Sequence, residues 1–293
     1  MKYAANNKLG PVMVIGACGF LGKHLSSHLK EAGYEVAALG HDEIDITGSS
    51  SIDRALSRWN PEIVINCAAI SSTTYAAEHP EESMRINVNA CENLAKACAV
   101  SDRRLYLMSS DQVYAGCTRM GPLPEKLKLA PGNVYGSHKY TMEGRALAIY
   151  PETVILRLTW MFESYNEEHP HVDIISRFVK SKKDGTAIRA SRREYRGISD
   201  VNEVCSNIIR SIGLLSGGVY NFGSGNLKDS YSTYMAFAEA VGIPAESIVE
   251  DDSWGRNISM DCSRLAAFGI CFTDTEDAVC RVLSKLGNPL PEL

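Results

Sequence analysis

Tyr135 and Lys139 stand four residues apart in the run Asn133-Val134-Tyr135-Gly136-Ser137-His138-Lys139. On a helix that spacing brings a phenol and an ammonium to one face, one turn apart. A cation so close favours phenolate, so the phenol is expected to fall from its ordinary pKa of about 10 toward the range of an acid–base catalyst. With 13 Tyr and 13 Lys in 293 residues, chance supplies roughly 0.6 such pairs, so the pair takes its weight from its surroundings. It is the only Tyr-x-x-x-Lys in the chain. Ser110 lies 25 residues before it, near the end of Leu107-Met108-Ser109-Ser110-Asp111. A hydroxyl at the carboxyl end of a parallel strand faces the ligand crevice and can hold a substrate carbonyl; the plainer alternative is a strand-end cap.

A second constellation lies near the start. Gly16, Gly19 and Gly22 form G-x-x-G-x-x-G directly after the apolar run Val12-Met13-Val14-Ile15. Glycine there lets the backbone turn sharply and approach a pyrophosphate, which the N–H groups and positive end of the following helix attract. The next strand, Val36-Ala37-Ala38-Leu39, runs into Gly40 and His41 with no carboxylate at its tip, although Asp42 is near. Without that charge a 2′-phosphate is tolerated, and His41 or Lys23 could contact it. The pattern favours NADP(H) and leaves NAD(H) open. Asp45-Ile46 and Cys67-Ala68-Ala69 are candidate adenosine walls, Asp45 as an acceptor for the adenine amino group and the small residues as room for the cofactor. Arg189, Arg192, Arg193 and Arg196 cluster further on; guanidinium groups suit a diphosphate, and a solvated basic face is the plain alternative.

Such residues need a scaffold that brings strand ends together. Leu21, Leu25 and Leu29 recur every four residues and mark a helix ending near Gly33. A strand at Glu35–Leu39 follows. Ser49-Ser50-Ser51 can cap a helix that buries Ile52, Ala55, Leu56 and Trp59. Strand Ile63-Val64-Ile65, a long helix from about Pro80 to Val100, strand Leu105–Met108, helix Ser137–Ile149 and strand Val154–Leu158 continue the rhythm. Alternating strands and helices predict an α/β fold, a doubly wound Rossmann parallel sheet. From about Phe162 the rhythm loosens. Helices are expected at 174–182, 200–212, 231–241 and 275–285, with one strand at 218–222. This part is expected to form a small C-terminal substrate-binding lobe. The expected division is 11–160 for the NAD(P)-binding core and 161–293 mainly for the lobe, packed on the core and partly interleaved with it.

Composition narrows the partners. A net charge of −5, with 45% hydrophobic and 22% charged residues, is that of an ordinary soluble domain and argues against a nucleic-acid surface. No apolar run reaches the ~18 residues of a membrane helix. The stretch from Met1 to Gly10 is polar and unlike a secretory signal. Nine scattered cysteines without a C-x-x-C pair read as free thiols in a reducing cytoplasm. Cys18, inside the glycine turn, is the one to watch for reactivity. His169-Pro170-His171 reads as loop rather than as a metal site.

Taken together, Gly16-x-x-Gly19-x-x-Gly22, Asp45-Ile46, Asn66-Cys67-Ala68-Ala69, Ser110 and Tyr135-x-x-x-Lys139 resemble the extended short-chain dehydrogenase/reductases. The resemblance is nearest to the dTDP-4-dehydrorhamnose reductase branch and runs over roughly residues 11 to 285. Pro61-Glu62-Ile63-Val64-Ile65-Asn66, Leu156-Arg157-Leu158-Thr159-Trp160, Arg193-Glu194-Tyr195 and Gly218-Val219-Tyr220-Asn221-Phe222-Gly223 carry it beyond the catalytic residues. It implies reduction of a nucleotide-linked 4-keto-deoxysugar, with Ser110, Tyr135 and Lys139 catalytic. It implies a cofactor set of Gly16, Cys18, Gly19, Phe20, Leu21, Gly22, His41, Asp45, Ile46, Cys67, Ala68, Ala69 and Asn87, joined by Tyr135 and Lys139. Ser109, Asp111, Thr159, Trp160, Arg193 and Arg256 would face the substrate. A homodimer is left open.

The chain also departs from that branch. Thr73-Thr74-Tyr75-Ala76-Ala77 stands where the branch carries Val-Asp-x-x-Glu, which removes two carboxylates near the substrate. Asp173-Ile174-Ile175 replaces Asn-Phe-Val. Related dehydratases have a Glu after the Asp that follows the catalytic hydroxyl; here Gln112 cannot act as that base, so dehydration is disfavoured. A sugar-nucleotide epimerase shares all these motifs. A non-catalytic cofactor-binding subunit, like the regulatory partner of methionine adenosyltransferase in the same branch, is the alternative of another class.

Overall fold

The structure, a computed structural model, describes residues 10–167 and 171–287. Its strands in chain order are β1 (Val12–Ile15), β2 (Val36–Leu39), β3 (Ile63–Asn66), β4 (Arg104–Ser110), β5 (Val154–Leu158), β6 (Trp160–Phe162), β7 (Ile188–Ala190), β8 (Glu194–Tyr195), β9 (Ile198–Asp200), β10 (Gly218–Phe222), β11 (Ile248–Glu250) and β12 (Arg256–Asn257). Six of them make one parallel sheet in the order β10-β5-β4-β3-β1-β2. The order reverses between β1 and β3, and ligand crevices in such sheets open at that reversal, beyond the carboxyl ends of the strands.

The sheet forms because its strands are apolar on both faces. Val12, Val14, Ile63, Ile65, Tyr106 and Leu156 point to one side, where helix α1 (Phe20–Glu31) lays down Leu21, Leu25 and Leu29. Met13, Ile15, Val64, Leu105, Leu107 and Ile155 point to the other side. There they meet α2 (Ser49–Trp59), α5 (Ala90–Val100) and α6 (Val134–Ile149), with the short α3 (Thr73–Glu78) and α4 (Pro80–Met84) between α2 and α5. This is the alternation that a period of two imposes on a strand buried on both faces.

Several expected elements shift. The helix foreseen over 80–100 is interrupted by a π segment at Arg85–Asn89, and the Asn87 side chain within it bonds the loop after β3. Trp59, expected in the core, is exposed, with the Arg58 guanidinium stacked on its ring. Gly48, not a serine, occupies the N-cap of α2. Helix α6 begins at Val134, three residues before the expected Ser137, because the Asn133 carboxamide accepts from the Gly136 N–H and caps it.

The second half holds α7 (Ile174–Asp184), α8 (Val201–Ser211), α9 (Ser230–Val241), α10 (Ser263–Ala266) and α11 (Thr275–Gly287). Phe178, Ile188, Ile198, Phe237, Val279 and Leu283 close a separate core beside the sheet. Residues 201–222 do not belong to that core. Val204 and Ile208 of α8 pack with Leu25 and Leu29 of α1, and β10 extends the main sheet beside β5.

Candidate active site

The end of β4 shows how one register decides a site. Ser109 and Ser110 are consecutive, so their side chains leave opposite faces. The Ser109 hydroxyl donates to Glu143 Oε1 at 2.6 Å inside the protein. That corrects its expected place against a substrate: it serves a buried ion pair instead. The Ser110 hydroxyl turns the other way. It donates to Asp111 Oδ1 (3.1 Å), accepts from the Gln112 N–H (3.2 Å) and lies beside the Tyr135 hydroxyl.

Helix α6 supplies the remaining groups on three successive turns: Tyr135, Lys139 and Glu143. Its close approach to β4 depends on Gly136, since a Cβ there would run into the Gln112 carbonyl. Tyr135 is 7% exposed and Lys139 3%. The Lys139 ammonium donates to the Met108 carbonyl at 2.8 Å and lies 5.8 Å from the centre of the Tyr135 ring. Glu143 is clamped by Arg157 through two bonds of 2.9 and 2.6 Å, and Arg157 reaches on to the Tyr114 hydroxyl.

The electrostatics differ from expectation. Burial raises the Tyr135 pKa, and the neighbouring Asp111 carboxylate raises it further; the Ser110 hydroxyl opposes them. The predicted depression by Lys139 is not found, because loss of solvent outweighs a cation whose own proton is held by a backbone carbonyl. Lys139 is itself lowered by burial, against Cys91, Glu143 and Cys67. Asp111 is raised by burial, against the pull of Arg196 and Arg256. The Tyr135 phenol is thus pushed to keep its proton, which suits proton donation.

Past the switch point lies a cleft of about 410 Å³. Gly16, Cys18, Gly19, His41, Asp45, Ile46, Cys67, Ala68 and Ala69 all line it, with Gly40, Ile44, Ile70, Glu82 and Ile86 among the other walls. Gly16 has φ +75°, and a Cβ on it would sit 2.6 Å from the Ala68 N–H. No side chain caps the start of α1, so the main-chain N–H groups of its first turn are free to face an anion. Phe20 and Leu21 offer only those N–H groups: the Leu21 side chain is in the core, and the Phe20 ring stacks on His171 at 4.0 Å. Gly22 lets α1 rest on the Gly16 carbonyl. The Asn87 amide is spent on both main-chain groups of Ile70, so it shapes the wall without presenting a donor. Burial pushes the Cys67 thiol up to about 12, while Cys18 is exposed with its sulfur over Gly40.

The tip of β2 adds two details to the sequence reading. A carboxylate is present: Glu43 folds back and accepts from the Gly40 N–H at 2.6 Å. Of the two basic candidates, His41 lines the cleft and Lys23 is not among its walls. Asp45 accepts from both the N–H and the hydroxyl of Thr47, and these bonds hold its pKa low.

On the lobe side, Trp160 lies between two guanidinium groups, Arg196 at 5.0 Å and Arg177 at 5.4 Å from its ring centre. The Thr159 hydroxyl is paired with Ser199 at 2.6 Å, next to the point where β6 runs beside β9. Arg256 reaches Gln112 (3.2 Å) and Glu194 (2.8 Å), whereas Arg193 stays at the surface on the Asp252 carbonyl. Arg196, Glu143 and Arg157 were not marked as site residues. Only the clustering of four arginines near position 193 hinted at the first. Among the described residues no group of three His, Cys, Asp or Glu is placed to hold a metal ion; His169 and Pro170 lie outside the described residues.

Residues 10–247 match the family described as RmlD substrate binding domain. The chain belongs to the RmlD substrate binding domain family. One relative in sequence is the dTDP-4-dehydrorhamnose reductase of Mycolicibacterium smegmatis, 32% identical over 151 residues, which cover 52% of this chain and 46% of that protein. A similar match to the dTDP-4-dehydrorhamnose reductase of Streptomyces griseus covers 49% of its length, so this RmlD-family chain spans about half of each of these relatives. Methionine adenosyltransferase 2 subunit beta of Bos taurus is 24% identical over 277 residues, covering 88% of the chain and 82% of that protein. Among solved structures, the dTDP-4-dehydrorhamnose reductase of Bacillus anthracis in complex with NADP superposes with a TM-score of 0.84 at 20% identity, over 96% of this chain and 100% of that one. This superposition establishes the Rossmann-type fold of this RmlD-family member.

Proposed function

We propose that this RmlD-family protein is an NADP(H)-dependent reductase of a nucleotide-linked 4-keto-deoxysugar. The observation that carries the reading is the juxtaposition of Ser110, Tyr135 and Lys139 at the carboxyl end of β4, beside a glycine-walled cleft at the switch point of the sheet. The cleft fits a dinucleotide. Gly16 and the first turn of α1 would hold its pyrophosphate, Asp45 and Ile46 its adenosine, and His41 a 2′-phosphate. When bound, the nicotinamide supplies the hydride. Ser110 holds the carbonyl oxygen, and Tyr135 gives its proton to that oxygen as negative charge develops on it. Lys139 anchors the ribose beside Tyr135. Trp160 and Arg256 meet the sugar nucleotide. Two named relatives, the reductases of Mycolicibacterium smegmatis and Streptomyces griseus, support this substrate class.

The test is purified protein with NADPH or NADH and a panel of keto-sugar nucleotides, followed by loss of reduced-cofactor absorbance. Turnover is expected with at least one 4-keto-6-deoxy nucleotide sugar, faster with NADPH. Tightly held NAD after purification would point to an epimerase instead. A subunit reading is favoured by one observation, the match to methionine adenosyltransferase 2 subunit beta over 88% of the chain. Recovery of a stoichiometric partner in a pull-down, with no oxidation of reduced cofactor on any keto-sugar, would establish that alternative.

A further inference from the structure

His138 stands on α6 directly before Lys139 and is buried, yet it has no part in the proton and hydride steps. Its Nδ1 lies 2.9 Å from the Ser83 hydroxyl of α4. Ser83 and Asn87, both fully buried, continue the line: Asn87 Nδ2 donates to Ser83 Oγ at 3.2 Å and to the Ile70 carbonyl at 2.9 Å. Asn87 Oδ1 accepts from the Ile70 N–H at 3.0 Å. Ile70 is a wall of the cleft beside Ala68 and Ala69. One line of side-chain bonds thus runs from the helix of Tyr135 and Lys139, through α4 and the π segment, to the loop after β3.

Chemistry fixes the direction of each bond. The Ile70 N–H can only donate, so Asn87 turns its oxygen there and its NH2 toward Ser83. Ser83 therefore accepts from Asn87, and of its two partners only His138 Nδ1 can take its hydrogen. The imidazole ends the line as an acceptor, and burial, which lowers its pKa, keeps that nitrogen bare. An apolar residue at 138 would strand the Ser83 hydrogen away from water. Relief would come from a shift of Ser83 and Asn87, and Ile70 would move with them, because Asn87 holds both of its main-chain groups. The two ends of the line serve one ligand. Ile70 walls the cleft, and α6 carries the pair that would hold the nicotinamide end, so a cofactor touching both needs them a fixed distance apart.

We propose that His138 is a positioning residue for the cofactor: through Ser83 and Asn87 it fixes the Ile70 wall of the cleft relative to the helix that carries Tyr135 and Lys139. The inference rests on the dinucleotide part of the reductase reading and adds to it a residue that touches neither cofactor nor substrate. The brace acts on the wall and not at the 2′ position, so it serves NADPH and NADH alike.

The test is fluorescence titration of NADPH and of NADH into the full chain, wild type and variants. His138→Leu is expected to weaken both nucleotides by the same factor, about 10-fold, the effect of one stranded buried donor. His138→Asn puts a carboxamide oxygen where Nδ1 stands, so it accepts from Ser83 again and is expected to bind within about twofold of wild type. Ser83→Ala cuts the same line and should weaken both nucleotides as His138→Leu does. The double variant should be no weaker than either single one, since residues of one network do not add. His138→Leu binding like wild type, His138→Asn binding as weakly as His138→Leu, or losses that multiply in the double variant each overturn the proposal. Should His138→Leu fail to fold, wild-type binding by Ser83→Ala overturns it equally. Wild type that binds neither nucleotide is a different result: it removes the cofactor reading beneath the proposal, and the proposal with it.

Discussion

Tyr135 is kept protonated from two directions, by burial and by the charge of Asp111. Its role as proton donor follows from that, and so does its pH dependence. A raised phenol pKa means that the acid form persists through neutral pH and is lost only on the alkaline side. Asp111→Asn removes one of the raising causes, so the alkaline limb of the kcat–pH profile should move to lower pH; an unmoved limb would separate Asp111 from the donor. Tyr135→Phe should lower kcat by about 100-fold or more, as loss of a positioned general acid does, with NADPH affinity by fluorescence titration close to wild type. His41→Ala should weaken NADPH about 3- to 10-fold and leave NADH unchanged, because only the former carries a phosphate for an imidazole to meet. These residues were legible because their chemistry is tied to short spacings. The direction of the Tyr135 shift was not: spacing reports a neighbouring cation but not the solvent lost around the phenol. The reversal of Ser109 likewise needed the face on which each side chain leaves the strand.

Helix α6 aligns the site because its third turn is pinned. Glu143 and Arg157 are both buried, and Arg157 is also bound to Tyr114. Cutting one partner from such a pair leaves a charge without solvent, which costs about 3–5 kcal/mol. Arg157→Leu should therefore lose about that much stability in urea denaturation. Arg157→Leu with Glu143→Leu should recover part of the loss, since two apolar side chains leave no stranded charge. A double variant no more stable than the single one would show that Glu143 is not the cause. The limits of α6 were partly hidden in the sequence. Asn133 is a strong cap candidate, but that it caps here depends on Gly136 pressing against Gln112. The π segment at Arg85–Asn89 had no signal at all, because apolar periodicity looks the same until one residue is inserted into the turn.

The whole molecule joins the early and late parts of the chain in one sheet. The Rossmann rhythm ends at β5, yet the sheet does not: β10 pairs with β5 along its full length, and Val204, Ile208 and Tyr220 fill the same core as Leu25 and Leu29. Asn221 of β10 donates to the carbonyls of Leu123 and Asp261 and accepts from Tyr114, tying the sheet edge to segments far apart in sequence. Strand Gly218–Phe222 was legible as an apolar run, but no local pattern says which sheet a late strand joins. The consequence is cooperative unfolding. A fragment of residues 10–160 would keep the catalytic residues and the cofactor turn, but it would expose the apolar edge of β5 and the face of α1 that α8 covers. Open edges of that kind pair with other chains. The fragment is expected to be insoluble or to bind a hydrophobic dye without a cooperative melt. The full chain should show one transition, with circular dichroism and tryptophan fluorescence coinciding. Two separated transitions, or a soluble fragment that still binds NADPH, would mean that the first 160 residues fold by themselves and that β10 and α8 only cover a sheet already formed.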